Sequence, residues 1–83
     1  MTEKQLEIRN KIRMMSPRRA IAYIKSFQLP EDEETLLIEC DVNRRTFSYL
    51  MDLGYSKKVI SNARRRAYTK IMDDLNHSEE VRG

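Results

Sequence analysis

Prolines stand only at positions 17 and 30, and glycines only at 54 and 83. The chain therefore has very few places where a helix is forced to stop. Between those points it is rich in Lys, Arg, Glu, Leu, Ile and Met, which lose little side-chain freedom in a helix. The expectation is an all-α fold, a small bundle of about five helices. With 83 residues it can bury only a modest core, worth roughly 3–5 kcal/mol of net stability.

The apolar spacing supplies the helices. In "TEKQLEIRNKIRMM", Ile8, Ile12 and Met15 form one stripe on a basic helix. Ser16 and Pro17 read as a cap followed by proline at the first helical position. The next helix places Ala20, Ile21, Ile24 and Phe27 on one side, and it should end near Gln28 because Leu29 precedes Pro30. A third helix begins at Pro30, with acids in its first turn that complement the helix dipole. Leu36, Leu37, Cys40 and Ile38 are its candidate core residues. Asn43 reads as a break, and "RRTFSYLMDL" as a short fourth helix with Phe47, Leu50, Met51 and Leu53 facing inward. This reading gives a basic N-terminal helical hairpin over 1–28, a second unit over 29–76 and a frayed tail over 77–83, all within one structural domain.

Gly54 stands where a left-handed residue is wanted after the fourth helix. Tyr55 can anchor the turn in the core. Ser56 is a good N-cap for a longer helix over 57–76. A short helix, a glycine turn and a capped longer helix make the helix-turn-helix pattern. On that last helix, Ile60, Ala63, Ala67 and Ile71 mark the inward side. Lys57, Lys58, Ser61, Asn62 and Arg65 mark the outward side, flanked by Arg64 and Arg66. These side-chain types read base edges and phosphates in a DNA groove.

Such a face is also what any solvated helix offers, and the sign of the charge separates the two cases. Residues 56–71 carry six bases and no acid, whereas a helix built only for solubility mixes both signs. Along the whole chain the charge alternates in blocks. Residues 1–28 carry +5, 29–43 carry −6, 44–72 carry +7 and 73–83 carry −3, within a net charge of +3. A sided field of this kind steers polyanions. The bland account of the acidic block is dipole complementation together with solubility.

The stretch "LPEDEETLLIECDV…RTFSYLMDLGYSKKVISNARRRAYTKI" resembles the fourth conserved region of bacterial sigma factors, which reads the upstream promoter element. The likeness covers residues 29–75. It begins at Leu29-Pro30, continues through the turn Leu53-Gly54-Tyr55-Ser56 and Ile60, and ends on Arg66, Ala67, Lys70 and Ile71. Ser48, Tyr49 and Leu50 depart from the family's Glu-aliphatic-Ala pattern. The promoter-melting region is absent from this sequence, so the resemblance points to small phage or prophage transcriptional regulators that use the same fold. It implies a cytoplasmic protein whose partner is double-stranded DNA. Lys57, Lys58, Ser61, Asn62 and Arg65 would be base-reading residues, and Arg44, Arg45, Ser56, Arg64 and Arg66 phosphate contacts. Contact with RNA polymerase is a further implication.

Other classes find less support. One cysteine, Cys40, and one histidine, His77, 37 positions apart, cannot assemble a metal site. No convergent titratable set suggests catalysis, and neither a cofactor nor a catalytic residue is expected. No apolar run approaches the length of a membrane span. A protein-interaction module is the main rival, with the acidic helix or the Met14–Met15 end of the first helix as contact surface. Ile8, Ile12 and Met15 could equally form a homodimer seam.

Overall fold

A computed structural model describes residues 2–82, with side chains through residue 77. The described chain is built of helices joined by short connections: α1 Glu3–Met14, α2 Pro17–Lys25, α3 Glu31–Leu37, a π-helical turn Ile38–Val42, α4 Phe47–Asp52 and α5 Lys57–Arg82. No strand occurs among the described residues. The small all-α bundle expected from helix-forming composition and scarce breakers is the fold observed.

Two apolar clusters hold it together, and α5 contributes to both. Ile8 and Ile12 of α1, Ala20 and Ile24 of α2 and Leu37 of α3 bury against Ala67, Tyr68 and Ile71. Leu36, Cys40 and Leu50 bury against Ile60 and Ala63, with Phe47 and Tyr55 packed at the edge. The stripe on α1 is therefore used inside the protein, with Met15 packed beside it. That removes it as a seam between two copies. Met14, the other half of the methionine pair, is almost fully exposed.

Helix ends depart from expectation in instructive ways. Thr2 forms a capping box, its side chain accepting from the Gln5 amide while the Gln5 side chain accepts from the Thr2 amide. Ser16 occupies the N-cap of α2 but makes no side-chain capping bond. The α2 helix ends at Lys25, three residues before Gln28, and Gln28 itself takes a left-handed conformation at φ 54°. The third helix does not continue in α geometry. Its last turn widens, so that the Asn43 amide donates to the Ile38 carbonyl, five residues back, at 2.9 Å. Arg44 then sits at φ 53°. The fourth helix is shorter than expected, because Thr46 caps it by accepting from the Tyr49 amide at 3.1 Å.

Met51 and Leu53 correct the expected inward face of α4. They are 46% and 59% exposed, while Leu50 is fully buried. A six-residue helix offers its neighbours fewer than two turns, so only part of its apolar set can face inward. The bounds of α5 reach Arg82, past the expected end near 76. The tail expected to fray falls mostly on residues 78–83, whose side chains lie outside those described.

Left-handed backbone at a non-glycine residue is strained, because Cβ crowds the following carbonyl. Gln28 is exposed and has no side-chain partner among the described hydrogen bonds. Gln28→Gly is expected to raise stability by about 0.5–1 kcal/mol, the strain relieved exceeding the entropy glycine loses on folding. A urea midpoint unchanged or lowered would contradict this.

Candidate nucleic-acid interface

The turn that presents the outward face of α5 is built as its residues require. Gly54 adopts φ 105°, and a Cβ there would meet open space. Conformation, not crowding, is what calls for glycine. The Gly54 amide donates to Met51 at 3.0 Å and the Tyr55 amide to Leu50 at 3.2 Å, closing the end of α4. The Ser56 hydroxyl then accepts from the Val59 amide at 3.1 Å, capping α5 as its position predicts.

Beyond the cap, Lys57, Lys58, Ser61 and Arg65 are exposed and Asn62 is half-buried. The Arg65 Nη2 donates to the Asn62 Oδ1 at 2.8 Å, which joins two of the expected base-reading side chains across one turn. Among the described residues, Lys57, Lys58 and Arg65 have no carboxylate partner. Ile60 and Ala63 are buried on the opposite side. The five expected readers are thus brought together on one ridge.

The expected phosphate contacts divide. Arg44 is exposed. Arg45 lies over the Tyr49 ring at 4.6 Å, with its Nε 3.8 Å from Glu39. Arg66 places its Nε 3.5 Å from Glu33, which Lys70 also meets at 2.9 Å. Ser56 already serves as the cap. Arg64 is turned inward, its side chain only 17% exposed and its Nη2 2.9 Å from Asp41 Oδ1. The family resemblance implied a phosphate contact for it. It follows Ile60 by four residues and so sits at the edge of the buried side.

Asp41 is the residue that sequence reasoning missed. Its side chain is fully buried, yet three guanidinium groups gather on Oδ1: Arg64, Arg13 at 3.2 Å and Arg9 at 3.9 Å. The Tyr68 hydroxyl donates to Oδ2. Glu33 is likewise buried, beneath Arg66 and Lys70. A signal was present, since Glu33, Leu37 and Asp41 recur every fourth residue. The acidic block thus supplies two buried anions in addition to charges at a helix end.

These surroundings shift the groups they touch. Burial works against the charge on Arg64, but the Asp41 carboxylate and its hydrogen bond outweigh it, and the guanidinium pKa is raised. Burial, then the adjacent Asp41 charge, then the hydrogen bond it donates push the Tyr68 phenol well above its ordinary value of 10.0. Burial also pushes the Cys40 thiol up, so this cysteine packs as a small apolar group and not as a thiolate.

Comparison with protein-family models, curated proteins and solved structures yields no match. No helix among the described residues is long and apolar enough to cross a membrane.

Two outcomes follow from the Asp41 centre. Asp41→Asn leaves three arginines around a neutral group, and breaking a buried pair in this way costs about 3–5 kcal/mol. That equals the whole net stability expected for this chain length, so circular dichroism should report a largely unfolded protein. A cooperative, near-native urea transition would refute the assignment. For Tyr68 the folded-state pKa is the higher one. Its contribution is complete below the ordinary tyrosine range and is lost as the unfolded chain ionises above about pH 10. Stability measured across that range should fall with pH in the natural protein and fall less steeply in Tyr68→Phe.

Proposed function

We propose that this chain is a sequence-specific DNA-binding transcriptional regulator. It inserts the first turns of α5 into the major groove, with α4 and the Gly54 turn as the supporting half of a helix-turn-helix. The observation that carries the reading is the charge left over once the fold has satisfied its own acids. Asp41 and Glu33 take up Arg9, Arg13, Arg64, Arg66 and Lys70. Lys57, Lys58 and Arg65 stay exposed beside Ser61 and Asn62. A cationic strip bearing hydroxyl and amide groups suits base edges flanked by phosphates. The resemblance of residues 29–75 to sigma region four supports the same surface and the same role, as in small phage regulators. Arg44 is the best-placed phosphate contact outside α5, being exposed on the connection before α4, with Arg45 beside it. Arg64 is held by Asp41 and lies off the exposed ridge.

Selection of bound duplexes from a random pool, at stated salt, tests the proposal directly. An enriched motif supports it, and recovery of no motif removes sequence reading. Against the selected site, Arg65→Ala should weaken binding by about 1–3 kcal/mol and relax preference at one position. Arg44→Ala should weaken all duplexes alike and reduce the salt slope by about 1. Unchanged titrations for both would end the assignment.

One observation favours a second reading. Tyr49, Met51, Leu53 and Val59 are exposed around the same turn, and apolar side chains grouped there suit a protein partner such as RNA polymerase. A module that only binds protein should show no salt-dependent retention on duplex DNA, whereas the DNA reading requires it.

A further inference from the structure

A notch of about 250 Å³ lies between α1 and α5, lined by Gln5, Ser61, Arg64 and Arg65. Each of these side chains carries an N–H or O–H donor, and none is a carboxylate. Arg64 shares the single carboxylate of Asp41 with Arg9 and Arg13, so two units of positive charge are left unbalanced. The Nε atoms of all three arginines are buried and have no acceptor. Gln5 is itself buried and doubly fixed. Its Oε1 accepts from the Thr2 amide and its Nε2 donates to Thr69 Oγ1, each at 3.2 Å, which leaves the second amide hydrogen uncommitted.

From this we infer that the α1–α5 notch is a seat for one phosphate group. Phosphate oxygens accept without donating and carry the charge the site lacks, and two guanidinium groups with two neutral donors match them. Ser61 and Arg65 belong both to the notch and to the outward ridge of α5, so the phosphate is a backbone phosphodiester of the duplex that α5 reads. The source of the phosphate rests on the function proposed above; the seat itself rests on the notch. Helix α1 thereby becomes part of the DNA-binding surface, with Arg9 and Arg13 supplying the field behind the contact.

Gln5→Glu tests this, at the loss of the bond that Gln5 donates to Thr69. The new carboxylate keeps an acceptor for the Thr2 amide and places a fixed anion in the seat. Inorganic phosphate is titrated into the natural protein at constant ionic strength, following the Gln5 side-chain amide, the Ser61 amide and the arginine Nε–H resonances of Arg64 and Arg65. Saturable shifts centred on these four are expected, those of Ser61, Arg64 and Arg65 being abolished in Gln5→Glu. Non-saturating shifts, or shifts centred on Lys57 and Lys58, overturn the seat, and this measurement on the natural protein stands even if the variant fails to fold. With random-sequence duplex, Gln5→Glu should lower the slope of log K against log salt by about 0.9, the loss of one phosphate contact. Duplex binding with that slope unchanged removes the notch from the DNA contact and leaves the reading by α5 intact. Saturable phosphate shifts in a protein that ignores duplex remove the DNA reading and keep the seat.

Discussion

A carboxylate taken out of water must find cations or hydrogen-bond donors, and Asp41 finds both from three parts of the chain. Arg9 and Arg13 come from α1, Arg64 and Tyr68 from α5, and the carboxylate itself from the π-helical turn. Buried ion pairs are often no more stabilising than apolar residues of the same size, because desolvation offsets much of the attraction. What the centre contributes is position. Apolar stripes such as Ile8–Ile12 against Ala67–Ile71 leave some freedom to slide or rotate. A carboxylate that must meet particular guanidinium groups and one phenol leaves much less.

The same centre decides which charges remain for a partner. By composition the chain alternates basic, acidic and basic blocks, and folding places the acidic block against bases on both sides of it. Asp41 draws on α1 and α5, and Glu33 on the middle of α5. Among the described residues, the bases nearest the start of α5 have no such acid paired with them. Lys57, Lys58 and Arg65 are left without an acidic partner among the described residues, because every acid with a described ion pair engages other residues.

Much of the fold was legible because it is written in apolar periodicity and in scarce breakers. Ile8 and Ile12, Ala20 and Ile24, Leu36 and Leu37, and Ile60, Ala63, Ala67 and Ile71 all bury as their spacing requires. Gly54 and Ser56 sit where turn chemistry needs them. What was not legible concerned residues for which polarity and position disagree. Arg64 lies four after Ile60 and three before Ala67, on the inward stripe, but arginine reads as surface. Asp41 follows Leu37 by four and reads as part of a solvated acidic run. Tyr68, fully buried, is adjacent to the stripe and broadens it. Each is a charged or polar group on an apolar face, and each turns out to be a partner of another. Met51 and Leu53 fail in the opposite sense, since apolar spacing alone cannot say that so short a helix will leave them outside. The candidate readers were legible as a group; the notch was not, because Gln5 and Ser61 are 56 positions apart in sequence.

Successive residues of a helix point about 100° apart, so fixing one side chain fixes the direction of its neighbours. Arg64 and Tyr68 are one turn apart, and both end on the Asp41 carboxylate. Together they set the rotation of α5 about its own axis. With Arg64 turned inward, Arg65 must point away, and Ser61 and Lys57, four and eight residues earlier, line up beside it. The direction of the cationic ridge is therefore not a local property of the residues that compose it. It is imposed from the buried side of the same helix, by a carboxylate that belongs to a different segment of the chain.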